Sequence, residues 1–207
     1  MRRKRDMSRA LNFRRITAIM LVLGLILAAQ VFGQTKFGPK TEPLLKTFTS
    51  GTYHMKSSMS GGGMTSEMEI FVKGDRIATV ISAQGEKNRI IVRDNKTYMI
   101  NDSQKMIMVS PSGDTSATGA VDTGAMIFTG SGTASFAGKN LPYEEYKTDE
   151  GKVQYFVDGN KLAGMRTIIP GQGNMDMVIS ALDQNVPDSV FTVPSGYEVL
   201  DMSGFRF

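Results

Sequence analysis

Met64-Thr65-Ser66-Glu67-Met68-Glu69-Ile70-Phe71-Val72-Lys73 alternates along its whole length, with Met64, Ser66, Met68, Ile70 and Val72 on one side and Thr65, Glu67, Glu69, Phe71 and Lys73 on the other. A period of two this regular predicts a β-strand in a sheet with one wet face. The preceding residues 52–60 repeat the pattern, setting Tyr53, Met55 and Met59 against Thr52, His54, Lys56 and Ser58, and Gly61, Gly62 and Gly63 lie between the two runs. Glycine accepts positive φ at no steric cost, so the pair reads as a hairpin.

Working outward, the same punctuation continues on the C-terminal side. Turn residues at 73–75, 84–88, 94–96 and 102–105 separate further short apolar runs, so residues 52–109 read as six strands. No helix-length segment lies between them, and a parallel crossover needs one, so the strands must pair antiparallel. From 110 to 140 the composition shifts to Gly, Ser, Thr and Ala, which reads as an insert. Its part at 111–123 has too few apolar groups to offset the entropy of ordering it. Ala125 to Phe128 and Phe136 are apolar enough to dock as a lid or plug, the alternative being a disordered insertion. Strands resume at 141–148, 152–158, 165–170, 175–182 and 198–202, about ten in all.

On the N-terminal side, Thr41-Glu42-Pro43 resembles a helix start, with Leu44, Leu45 and Phe48 as a short apolar stripe. Residues 34–50 therefore read as a leader and a short helix, and 51–207 as one β domain. Residues 1–33 read as a secretory signal: seven Lys and Arg, then an apolar run from Ile16 to Ala29, then small residues before a cleavage point near Gly33. The apolar run is shorter than the roughly 20 residues of a spanning helix, an uncleaved anchor being the alternative. Export places the protein in the periplasm, with transient membrane contact open to it.

Seven of the 24 basic residues and one of the 20 acidic residues belong to this leader, which leaves 17 against 19. The net positive charge of the whole chain thus implies no nucleic-acid partner. The chain has no cysteine, so it has neither a disulfide framework nor a lipid-anchor cysteine.

Nothing in the sequence assembles a reaction. Glycines and Lys139 near 132–140 have the wrong spacing for a phosphate loop, and no Gly-x-Ser-x-Gly elbow is present. The single histidine, His54, falls on the polar side of its strand. Glu67/Glu69, Glu144/Glu145 and Asp149/Glu150 read as solvated charge. No cofactor and no catalytic residue is implied, and the chain reads as a non-enzyme. Methionine is abundant, at 15 residues, and His54 beside Met55 and Met59 raises a periplasmic Cu(I) binder as an alternative. Methionines recurring at strand spacing fit an adaptable apolar surface better. A structural envelope protein without a ligand is the third reading.

The segment from Met64 to Arg76, the run Asp94-Asn95-Lys96-Thr97-Tyr98-Met99-Ile100 and the ending Val186-Pro187-Asp188-Ser189-Val190-Phe191-Thr192-Val193-Pro194-Ser195-Gly196-Tyr197 resemble the LolA/LolB-like lipoprotein carrier superfamily. The resemblance implies a mainly β fold in which a single curved antiparallel sheet forms a half-open barrel, plugged by short helices or loops. It also implies an apolar interior that takes a lipid, an acyl chain or an acylated protein. On the apolar sides of their own strands lie Tyr53, Met55, Met59, Met68, Ile70, Val72, Ile77, Ile81, Tyr98, Ile100, Tyr155, Met177 and Ile179, which are therefore expected to line that interior.

Overall fold

Two hairpins of the sheet are set by residues that tolerate left-handed backbone. Gly62 and Gly63, at φ 58° and 76°, connect β1 (Thr52–Gly61) to β2 (Met64–Lys73), and Asp94 and Asn95, at 52° and 54°, connect β4 (Glu86–Arg93) to β5 (Lys96–Asn101). Two successive positive φ values match the twist of flanking antiparallel strands, which fixes the register of each pair.

The structure, a computed structural model, describes residues 37–112, 126–171 and 173–202. The expected signal at 1–33 and most of the expected loop at 111–123 lie outside the described residues. Within them the chain forms one helix, α1 (Glu42–Thr49), and twelve strands. The others are β3 (Arg76–Ala83), β6 (Met106–Pro111), β7 (Ile127–Phe136), β8 (Lys139–Lys147), β9 (Lys152–Asp158), β10 (Lys161–Ile169), β11 (Gly173–Asp183) and β12 (Glu198–Asp201), with a 3-10 turn at Asp188–Phe191.

All twelve strands belong to one open sheet in the order β12-β6-β5-β4-β3-β2-β1-β11-β10-β9-β8-β7. Every neighbouring pair is antiparallel except β12, which runs parallel to β6. The protein is thus mainly β, with one large open sheet that is antiparallel apart from β12, as the alternation and turn residues predict. One element differs from the sequence reading. Residues 127–136, expected within an insert, form the edge strand β7, which pairs with β8 through a bulge between Phe128 and Gly130. The apolar groups at its two ends dock on opposite sides of the sheet: Met126 joins one core cluster and Phe136 another.

Register divides the sheet into two faces. The row Leu182, Met55, Ile70, Thr79, Ile90, Met99, Met108, Leu200 crosses eight strands on one face. The row Asp183, His54, Phe71, Ala78, Ile91, Tyr98, Val109, Asp201 crosses the same strands on the other. Helix α1 packs on the first, the helix face, against β1 and β10. The segment from Val186 to Tyr197 packs on the second, the tail face, against Phe71, Ala78, Ile91, Ile100 and Ile107. Both faces are therefore apolar and both need a cover, one taken from each end of the domain.

Candidate functional site

The largest apolar cluster lies on the helix face. It contains Tyr53, Met55, Met59, Met68, Ile70, Val72, Ile81, Tyr155 and Met177 as buried members, with Ile77 and Ile179 partly buried against it. Eleven of the thirteen expected lining residues are thus brought together. Tyr98 and Ile100 are not: they point to the tail face, where Ile100 is buried and Tyr98 packs with the C-terminal segment. On β5 it is Thr97 and Met99 that share the helix face with Val92 and Ile90. Both sides of β5 are apolar enough to be core, so alternation alone does not decide which way the strand faces.

The cluster also contains Leu45, Met126, Tyr146, Val153, Leu162 and Met165, and Phe37, Leu44 and Phe48 pack against it from the helix side. Sequence reading missed the group that fixes α1 there. Glu144, on β8, is 1% exposed. Its carboxylate accepts from the Lys40 N–H (2.9 Å), the Thr41 N–H (3.0 Å), the Thr41 hydroxyl (2.6 Å) and the Tyr146 hydroxyl (3.2 Å). The Tyr146 hydroxyl in turn accepts from the Gly38 N–H at 2.8 Å. Burial by itself raises the Glu144 pKa, but the bonds from Thr41, Lys40 and Tyr146 outweigh it and hold the carboxyl below its ordinary value. A charge is thus tolerated inside an apolar cluster because every donor around it is aimed at it.

The expectation of solvated charge holds for neither member of the Glu144/Glu145 pair. Glu145 is partly buried and accepts from Lys152 (2.9 Å) and Gln154 (3.0 Å), which keeps its pKa below the usual range. A signal for Glu144 was present in the alternation of Glu144 with Tyr146, which puts it on the side of a large aromatic.

Beneath α1 the sheet forks. β10 pairs with β11 from Gly164 to Ile169, opposite Val178 to Gly173. Beyond Val178, β11 continues to Asp183 with β1 alone. The gap between the start of β10 and the end of β11 is a cleft of about 840 Å³. Leu44 from the helix and Leu141, Leu162, Ile179 and Leu182 from the sheet give it apolar walls, and Lys139, Asp158, Lys161 and Asp183 give it a charged rim. Its size falls within the about 300–1,000 Å³ of small-molecule pockets. Four of the five wall residues, Leu44, Leu162, Ile179 and Leu182, also pack in the helix-face cluster, so the cleft lies against the flank of that core.

A second part of the helix face has no covering element among the described residues. Ile90, Met99 and Met108 are half-buried, and Leu200 at the end of their row is 40% exposed.

His54 lies apart from all of this. Its ring stacks on Phe71 at 4.6 Å on the tail face, with Nε2 2.8 Å from Glu69 and Nδ1 3.2 Å from Asp183. Met55 and Met59 point to the opposite face, so the sheet separates the three side chains that the Cu(I) reading placed together. Among the described residues no group of three His, Cys, Asp or Glu is placed to hold a metal.

No protein-family model matches the chain. No curated protein matches it in sequence. In fold it is similar to an uncharacterised conserved protein from Thermus thermophilus, with 7% identity and a TM-score of 0.54 over 78% of this chain and 98% of that one. Its structure neighbours also include a LolA superfamily protein from Nitrosomonas europaea, at 11% identity and TM-score 0.38, covering 75% of this chain and 99% of that one. MucB, in a complex with MucA, is a further neighbour at 13% identity and TM-score 0.44, covering 76% of this chain and 58% of that one. What the Thermus protein and this chain have in common, over most of both lengths, is the fold alone.

Proposed function

We propose that the protein is an exported, non-enzymatic binding or carrier protein that takes the acyl chain of a lipid or of an acylated protein into the helix-face cluster through the cleft beneath α1. The observation that carries this reading is the cleft: a volume of about 840 Å³ with leucine and isoleucine walls, of which Leu44, Leu162, Ile179 and Leu182 also pack with the methionine-rich core, and with Lys139, Asp158, Lys161 and Asp183 as its charged lining. An acyl chain gains about 0.8 kcal/mol for each methylene removed from water, so about ten buried methylenes supply about 8 kcal/mol with no directional contact. Methionine suits such a lining because its unbranched thioether repacks around occupants of different shape. The signal-like leader at 1–33 and the resemblance to periplasmic lipoprotein carriers support the periplasm as the compartment.

Titration with a fluorescent fatty acyl probe tests this. The wild type is expected to bind saturably. Ile179→Asp and Leu44→Asp, each placing a charge on a half-buried wall position, are expected to weaken binding by at least about tenfold while circular dichroism stays unchanged. Glu67→Ala, at an exposed position of the tail face, is expected to bind as the wild type does. Equal binding by all four proteins, or no saturable binding by the wild type, would make the helix face closed core and end the proposal.

A further inference from the structure

The strand β7 ends the sheet on one side, and among the described residues its outer edge pairs with nothing. Edge strands are templates for further pairing, and proteins blunt them with Lys, Pro or inward charge. From Ile127 to Phe136, β7 reads IFTGSGTASF, with neither a charged residue nor a proline. Its backbone is also presented outward at a definite place. Thr133 lies opposite Pro142 of β8, and proline has no N–H to exchange, so this is a non-hydrogen-bonded pair. The N–H and C=O of Thr133 therefore point to the open edge, and by the period of two so do those of Ser131. One end of the edge is already closed, because Arg166 Nη2 donates to the Ser135 carbonyl at 3.1 Å. What remains free is the stretch 129–133, with Ile127 (61% exposed) and Phe128 (40% exposed) beside it.

That stretch is Thr-Gly-Ser-Gly-Thr, which reads the same in both directions. We infer that β7 pairs with β7 of a second copy of this chain, antiparallel and about a two-fold axis at Ser131, extending the sheet across the dimer. Ser131 then exchanges two backbone hydrogen bonds with Ser131 of the other copy, and Gly130 of each copy faces Gly132 of the other, where no side chain obstructs the approach. No like charges meet, because the strand carries none. Five paired residues bury far less than the roughly 1,200 Å² of a standard interface, so the dimer is weak and depends on concentration.

The natural chain contains no cysteine, so single thiols are readily placed. With a short bifunctional maleimide, Ser131→Cys is expected to yield cross-linked dimer at least about tenfold faster than Ser103→Cys, an exposed position in the turn between β5 and β6. In sedimentation velocity the wild-type mass is expected to rise with concentration, and Ser131→Lys, which sets two ammonium groups against each other, to stay monomeric with an unchanged circular dichroism spectrum. A wild type that stays monomeric, a dimer that survives Ser131→Lys, or equal cross-linking at the two positions would overturn the inference.

Discussion

Four donors converge on Glu144, and what they hold is the attachment of α1 to the sheet. Glu144→Gln keeps the shape but brings an amide NH2 into a site where every partner donates, and it removes the charge that strengthens each bond. A loss of about 1.5–3 kcal/mol at neutral pH is expected, read as a lowered unfolding midpoint in urea. The pH dependence follows from the same group. Its folded pKa lies below its ordinary value, so the unfolded chain binds more protons in acid. The stabilisation is complete above the ordinary carboxylate pKa of about 4.3 and is lost as pH falls through the folded value. Asp102, held down first by its hydrogen bond from Arg89, and Glu145, held down first by Lys152, act with the same sign. Urea midpoints of wild type and Glu144→Gln are therefore expected to differ at pH 7 and to converge only in acid, once the pH has fallen through the lowered folded value. A constant gap would mean that Glu144 is not the titrating link. Alternation with Tyr146 put Glu144 on the side of a large aromatic, but its donors were not legible, because adjacent acids on a strand point to opposite faces and only the tertiary cover reveals that both Glu144 and Glu145 lose water.

Among elements, the tail segment is the counterpart of α1. The 3-10 turn sets Phe191, 1% exposed, against the tail face, under the Arg76 guanidinium at 4.7 Å from the ring centroid. Arg93 donates to the Phe191 carbonyl at 3.1 Å, and the Tyr197 hydroxyl donates to Asp102 at 3.0 Å. Phe191→Ala should cost about 3–5 kcal/mol, as deletion of a buried aromatic does. Acyl-probe binding per folded molecule should be retained, because the tail covers the face away from the cleft; loss of both together would show the two faces to be coupled. Alternation located most of the strands, since a half-buried strand writes its period into the sequence. It failed at β7, where an edge strand of Gly, Ser and Thr carries no apolar stripe to read. It also failed on β5, where Tyr98 and Ile100 face the tail and Thr97 and Met99 face the helix. A sheet covered on both sides offers two apolar sets per strand, and the choice between them is made by neighbours distant in sequence.

At the scale of the whole molecule, one open sheet receives its two covers on different halves: α1 over β1 and β10, and the tail over β2 to β6. The arrangement leaves the fork between β10 and β11 and the half-buried row Ile90, Met99 and Met108 as the parts of the helix face without a cover among the described residues. Fold class was legible from short alternating strands and turn residues alone. The cleft was not, because it comes from β10 parting from β11 beyond Val178 while β11 stays paired with β1 to Asp183, a difference in pairing length that no local pattern encodes. The central claim is that this space holds an apolar chain. Native mass spectrometry of the protein purified from its own cell envelope tests it most directly. The account predicts a population carrying added mass that is released on activation and fragments as an acyl lipid, absent from Ile179→Asp prepared in the same way. Bare protein in both preparations, together with failure of the wild type to take up a fatty acyl probe, would contradict it.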